Sequence, residues 1–219
     1  MVVSIERDGP AEARRALERC VAAAGVALFP ADTLYGLGCD PSNAAAIDRI
    51  HELKGRERGK PSAVMFFAWA AMREPLSALG PRAREAIESL LPGAVTVVVD
   101  NPEHRYPLAA REDPERLGLR LIRGPLAGAR CAIFQTSANP SGEPAPSRFE
   151  AVAPRILAGV DLAIDGGDLR GDPSTVVDLT RLDADRSWRV LRHGAVSAAE
   201  LGRLLRSPEA GPDARLRHP

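Results

Sequence analysis

Apolar and polar positions along the chain fall into two alternating rhythms. In PAEARRALERCVAAAG, residues 10–25, Leu17, Cys20, Val21 and Ala24 recur three and four apart among charged neighbours. That stripe predicts an amphipathic helix, with Pro10 near its start and Gly25 as its stop. The next segment, VALFP, is short and wholly apolar, as a buried strand is. PSNAAAIDRIHELKG, residues 41–55, returns to helical spacing. Ser42 is its expected N-cap, and Ile47, Ile50 and Leu53 its expected inward face. A turn is expected between that strand and this helix.

Further on, SAVMFFA predicts a strand, and PRAREAIESLLPG a helix bounded by Pro81 and Gly93. AVTVVVD, LGLRLI and CAIFQTSA predict three more strands, and PSRFEAVAPRIL a helical stretch. DLAIDGG, STVVDLT and WRVLRHG read as strands, and SAAELGRLLR as a last helix. Helices and strands alternate early and strands cluster late. The expected fold class is therefore α/β, with a mixed-direction sheet flanked by helices. No internal repeat or linker divides the chain, so residues 1–206 are expected as one domain. SPEAGPDARLRHP is polar and rich in Pro and Gly, and residues 207–219 are expected as a disordered tail.

Composition narrows the function classes. The 219 residues carry 29 Lys and Arg against 29 Asp and Glu, so net charge gives no argument for nucleic acid or membrane. Any cationic site has to come from clustering. Three cysteines, none in a CxxC pair, suggest neither a zinc site nor a redox dithiol and fit a reducing cytoplasm. The nine-residue run VAAAGVALF is too short to span a bilayer. A cytoplasmic protein without membrane partners is expected.

The densest cationic cluster is KGRERGK, with Lys54, Arg56, Arg58 and Lys60 punctuated by two glycines. A helix C-terminus attracts cations and ends on glycine, which alone would explain it. The other reading is a phosphate cradle, in which arginine forks grip oxygens and glycine admits the backbone. It is not a Walker A loop. TSANPSGEPAPS makes turns, yet it directly follows the buried CAIFQ, and polar groups at the end of a buried strand are where α/β proteins bind ligands. Ser137, Asn139, Ser141 and Ser147 supply hydroxyl and amide groups there. Ser174 precedes a strand. Arg120 lies inside the apolar LGLRLI, pointing either harmlessly outward or into a pocket as a carboxylate clamp. Arg192 and His193 close WRVLRHG, where a lone histidine is more often solvated surface than a general base. No Ser/His/Asp set, HExxH motif or paired carboxylates stand out. Cations, hydroxyls and amides suit the positioning and charge neutralisation that phosphoryl and nucleotidyl transfer need.

Seven blocks, in this order, resemble the YrdC/TsaC family of threonylcarbamoyl-AMP synthases: PADTLYGLGCD, ELKGRERGKP, LPGAVTVVV, LRLIRGPLA, TSANPSGEPAPS, DGGDLRGDPSTVVDLT and WRVLRHGAVS. They cover the chain from about Val26 to Leu204. The resemblance implies a twisted α/β sheet around a concave, positively charged cavity. It also implies synthesis of threonylcarbamoyl-AMP and pyrophosphate from L-threonine, bicarbonate and ATP, with Mg2+. The implied partners are a complex that passes the threonylcarbamoyl group to tRNA, and tRNA itself as a further candidate. Position by position, it implies Thr33, Arg120, Ser137 and Ser174 as threonine contacts. Lys54, Arg56, Lys60, Asn139, Ser147 and Arg192 match ATP contacts, and Tyr35, Gly36 and Gly38 a turn. The chain departs from the family at Ala31, Met65, Leu91, Ala94 and Arg116, and in a shortened segment before Cys131. The alternatives to a synthase are a noncatalytic relative that binds nucleotide or RNA, or a variant that uses another amine.

Overall fold

A computed structural model describes residues 1–55 and 59–205. Arg56, Arg58 and the expected tail at 207–219 lie outside them. The strands are β1 (Val2–Ser4), β2 (Ala27–Pro30), β3 (Tyr35–Cys39), β4 (Ala63–Phe66), β5 (Val95–Asp100), β6 (Arg116–Leu121), β7 (Ala132–Ser137), β8 (Leu162–Asp165), β9 (Thr175–Asp178) and β10 (Arg189–Arg192). The helices are α1 (Ile5–Asp8), α2 (Pro10–Ala22), α3 (Ala44–Lys54), α4 (Trp69–Ser77), α5 (Pro81–Leu90), α6 (Pro107–Ala110), α7 (Pro154–Gly159), α8 (Leu182–Asp185) and α9 (Ala198–Leu204).

All ten strands join one sheet in the order β1-β8-β2-β3-β7-β4-β6-β5-β9-β10. Four of its pairings are parallel (β1·β8, β2·β8, β4·β6 and β5·β9), and the other five are antiparallel. The expected mixed α/β sheet is what forms.

Alternation along the strands divides the two faces. Val64 and Phe66, Val95, Val97 and Val99, Leu117, Leu119 and Leu121, and Phe134 enter one apolar core. Ile47 and Ile50 of α3, Met72 of α4, Ala86, Ile87 and Leu90 of α5, Ile156 of α7 and Leu201 of α9 complete it. The opposite face is closed over only part of its width. There Leu17, Cys20 and Val21 of α2 pack with Phe29, Met65, Ile133 and Ile164.

The short segment before Cys131 belongs to this second core. Its Leu126 and Ala129 are fully buried. Arg14 of α2 donates to the carbonyls of Pro125 (3.1 Å) and Ala127 (3.3 Å), so α2 and this loop together cover the sheet. Met65 is a core side chain with no exposure.

Several expectations need correction. The segment Tyr35–Cys39 is a buried strand, β3, rather than a turn. Its glycines serve packing: a Cβ on Gly38 would lie 2.7 Å from Ile133 Cδ1 and 3.0 Å from the Phe134 carbonyl. Asn43, not Ser42, caps α3 by accepting from the Ala46 N–H. Ser42 is engaged by Asp40 instead. Ile47 and Ile50 face inward as expected, but Lys54 is buried beside them while Leu53 is only half-buried. PSRFEAVAPRIL is a 3-10 turn at Phe149–Ala151 followed by α7, which begins at Pro154. A proline has no N–H to extend a preceding helix and is at home in a first turn.

Candidate functional site

Where the second face is left bare, a cleft of about 810 Å³ opens over β7, β4, β6, β5 and β9. Its floor consists of the residues on these strands that point away from the closed core. They include Ala63, Thr96, Val98, Gly118, Arg120, Gln135, Ser137 and Val176. Its walls are the Ala31–Leu34 loop, Glu143–Ala145, Gly171 to Ser174, and Leu191 with Arg192. Small side chains at Ala63 and Gly118 keep the floor low, and charged or hydroxylated ones stand around them.

Arg120 resolves its two readings by pointing into the cleft. It is buried, and one guanidinium nitrogen, Nη2, donates to Asp32 Oδ1. Asp32 and Thr33 sit in the tight connection from β2 to β3, which Ala31 N closes onto the Leu34 carbonyl at 3.1 Å. Burial pushes the Asp32 carboxyl above its ordinary range, against the pull of Arg120. Burial also lowers Arg120, with Asp32 opposing and the charge of Arg192 adding to the effect. Two cations that feel each other across one cavity make a place for an anion.

Ser174 stands at the head of β9. Its Oγ lies 3.0 Å from Thr96 Oγ1, and Arg192 Nη2 donates to it at 3.0 Å and to its carbonyl at 2.8 Å. A β-bulge between Val190 and Arg192 shifts the register of β10 at this point. Gly194 lets the chain pass, since a Cβ there would lie 2.7 Å from both Ser174 C and Thr175 N.

Ser137 and Asn139 end β7 on the cleft wall. Lys54 lies behind them rather than in the lining. Its ammonium donates to the Ser137 carbonyl, to the Asn139 carbonyl (2.6 Å) and to Asn139 Oδ1 (3.3 Å). Asn139 Nδ2 then donates to the carbonyls of Pro140 (2.8 Å) and Glu143 (2.6 Å). The polar turn is therefore fixed by side chains beneath it. Lys60 is exposed beside the lining residues Pro61 and Ser62. Ser147 is half-buried next to Gly171, outside the lining. His193 is exposed.

The structure thus gathers Thr33, Arg120, Ser137, Asn139, Ser174 and Arg192 into one cleft from five separate segments. Sequence reasoning missed Asp32, Thr96, Ser62 and Gln135. Thr96 carried a signal, as a hydroxyl in an otherwise all-valine alternation. Arg116, noted only as a departure, lines the cleft and adds another cation 3.9 Å from Asp113. Among the described residues, no group of three or more His, Cys, Asp or Glu side chains stands together as a metal site. No helix there is long and apolar enough to cross a membrane.

A helix-backed mixed sheet with a cleft lined by arginines, hydroxyls and amides on its open face defines the class, an α/β protein with a ligand-sized cleft. The chain belongs to the Sua5/YciO/YrdC family, whose model, described as "Telomere recombination", matches residues 19–194. It is 35% identical over 167 residues to a protein of Thiobacillus denitrificans named threonylcarbamoyl-AMP synthase, covering 71% of this chain and 85% of that one. A protein of the same name from Xanthomonas oryzae is 30% identical over 175 residues, covering 77% and 90%. Among solved structures, P. abyssi Sua5 complexed with L-threonine matches with a TM-score of 0.81 and 25% identity over 93% of this chain. This chain spans 60% of that protein's length. E. coli YciO matches with a TM-score of 0.77 at 24% identity, covering 92% and 98%, and supports the fold.

Proposed function

We propose that the chain is a threonylcarbamoyl-AMP synthase, a nucleotidyltransferase that joins L-threonine, bicarbonate and ATP. The observation that carries this reading is the meeting of Thr33, Arg120, Ser137, Ser174 and Arg192 in one cleft. That set offers hydroxyls for a small polar amino acid and two guanidiniums for a carboxylate and a phosphate. The names of the relatives favour a synthase over a noncatalytic binder.

In this reading Arg120 takes the threonine carboxylate, and Thr33, Ser137 and Ser174 surround the rest of the amino acid. Arg192, Asn139 and Ser147, with Arg56 and Lys60, meet the nucleotide. Lys54 acts through the turn it holds. The threonine amine and bicarbonate give a carbamate, which is already an anion. Its oxygen forms a bond to the α-phosphorus of ATP as the bridging P–O bond to the β-phosphate breaks and pyrophosphate leaves. The protein's part is to align the two anions and offset their charge. Mg2+ commonly binds through substrate phosphates and one or two carboxylates, and neutralises charge on the phosphates. Asp113 and Glu143, both in the lining, fit that role. A cytoplasmic enzyme acting before a tRNA-modifying complex, with residues 1–206 as its working unit, completes the reading.

The test is pyrophosphate release from ATP, with and without L-threonine and bicarbonate, with the nucleotide product weighed by mass spectrometry. Release that needs both, with a threonylcarbamoyl-AMP mass, is expected. ATP binding without such release would leave a nucleotide-binding relative, and release with another amine would make it a variant.

A further inference from the structure

Three polar atoms are buried without a hydrogen-bond partner where the lining residues Thr33 and Arg120 adjoin Asp32, which is outside the lining: Asp32 Oδ2, Thr33 Oγ1 and Arg120 Nε. Each such atom costs about 1–3 kcal/mol. Asp32 and Thr33 are neighbours in one tight connection, and Asp32 is bonded to Arg120. The three orphans therefore form a cluster. Their chemistry differs in kind: an anionic acceptor, a hydroxyl and a cationic donor.

A purely structural ion pair accounts poorly for this arrangement. An arginine and a carboxylate that only support the fold gain most from a fork-to-fork contact with two parallel bonds. Here a single bond, Arg120 Nη2 to Asp32 Oδ1, is made, and one oxygen and one N–H are left over. A buried pair joined by one bond is a weak stabiliser, because desolvation offsets most of the attraction. The leftover atoms form a matched set for a ligand that carries a carboxylate, a positive donor and a hydroxyl on adjacent carbons. A zwitterionic hydroxy-α-amino acid has these groups. Its carboxylate would meet Arg120, and its net neutral charge would keep the corner balanced.

We infer that Asp32 is a specificity-determining residue: its carboxylate receives the ammonium group of the amino-acid substrate, while Arg120 holds the carboxylate. The pair keeps its single internal bond, and its leftover Oδ2 and Nε make the two bonds to the zwitterion. Asp32 thereby selects α-amino acids against hydroxy acids of the same shape, which present an anion and no cation. An arriving ammonium, as a nearby positive charge, opposes the upward push that burial gives the Asp32 carboxyl. This inference rests on the reading of the cleft as an amino-acid site.

The experiment is titration calorimetry on the full chain with L-threonine and with its hydroxy-acid counterpart, 2,3-dihydroxybutanoate. Wild type, Asp32→Asn and Asp32→Glu are compared. Asparagine keeps an oxygen for Arg120 Nη2 and removes the charge, and glutamate keeps the charge. Wild type is expected to prefer L-threonine. Asp32→Asn should weaken L-threonine by about tenfold or more, the worth of a charge-assisted bond, and leave the hydroxy acid little changed. Asp32→Glu should recover part of the preference. Equal losses for both ligands in Asp32→Asn would reduce Asp32 to a support for Arg120 and overturn the inference. So would a wild type that binds both ligands alike. Should Asp32→Asn fail to fold, the comparison of wild type with Asp32→Glu decides.

The two readings can fail separately. Threonine-dependent pyrophosphate release with an undiminished preference in Asp32→Asn would overturn the role of Asp32 alone. A wild type that prefers a different amino acid, with that preference lost in Asp32→Asn, would remove threonine and keep Asp32. A wild type that binds no α-amino acid would overturn both.

Discussion

Replacing Lys54 by methionine keeps the buried stem and deletes the ammonium. In the native chain that ammonium bonds to the carbonyls of Ser137 and Asn139 and to Asn139 Oδ1. These acceptors lie at and just beyond the end of β7, where the ladder to β3 finishes at Ser137. A hydrogen bond to a charged group is worth about 1.5–3 kcal/mol, and two backbone carbonyls lose theirs, so the expected cost is about 3–6 kcal/mol. That is a large share of a total stability of about 5–15 kcal/mol. With a urea dependence of about 2 kcal/mol per molar, the unfolding midpoint should fall by about 1.5–3 M. Threonine and ATP affinity should fall together, because Ser137 and Asn139 lose a common support. The assay is urea denaturation followed by circular dichroism, with calorimetry for each ligand. An unmoved midpoint with selective loss of ATP binding would refute the reasoning, because it would turn the Lys54 ammonium toward the triphosphate and away from β7.

Thr33→Val removes a buried hydroxyl that has no partner in the free protein. Thermal unfolding should show equal stability or a gain of about 1 kcal/mol, while calorimetry shows weaker L-threonine binding. A less stable variant with unchanged affinity would contradict this. The Asp178 carboxyl is pushed up by burial, but the hydroxyl and amide of Thr180 together with Arg189 outweigh this and hold it below its ordinary value. A folded value below the unfolded one, about 3.9, gives stability that is complete above that pH and lost as pH falls through the folded value. Urea midpoints from pH 6 to 2 should therefore decline less steeply for Asp178→Asn than for wild type, and equal slopes would dismiss the linkage. Gly194→Ala should push β10 off Ser174, costing about 1–3 kcal/mol in denaturant titrations and weakening both ligands. Native stability and turnover would show that the crossing has slack.

Most of the sheet was legible because its strands are short apolar runs, such as VALFP and AVTVVVD, that no helix of useful length contains. β3 was hidden because Tyr35–Cys39 carries two glycines, which favour turns locally. Only the closeness of β7 and the Phe29 ring shows that a side chain there would collide. α4 was hidden by Pro75, which interrupts the helical reading of WAAMREPLS. The N-cap of α3 slipped by one because Ser42 and Asn43 both suit the position. The choice fell to Asp40, which binds the Ser42 hydroxyl at 2.6 Å.

In the cleft, Arg120 was legible as a charge in an apolar strand, and Ser137 and Asn139 as polar groups closing a buried one. Asp32 was not, because nothing local distinguishes it from a loop aspartate. Its meaning depends on Arg120, 88 positions away. The place of Lys54 was hidden for the opposite reason. It opens a cationic run, and only the packing of α3 against the end of β7 separates its task from that of its neighbours.

The sheet order also sets a timetable for synthesis. β1 pairs with β8, its partner in register roughly 160 residues later. β5 likewise waits for β9, whose Val176 lines the cleft. At about 5–20 residues per second, roughly 8–32 s separate the making of Val2 from that of Ala163. During that interval a nascent chain has the β2–β3 hairpin and its helices, but an open sheet edge and no cleft. Until the chain reaches Ser174 and Arg192, one wall of the cleft is missing, so the cleft is completed only late in synthesis.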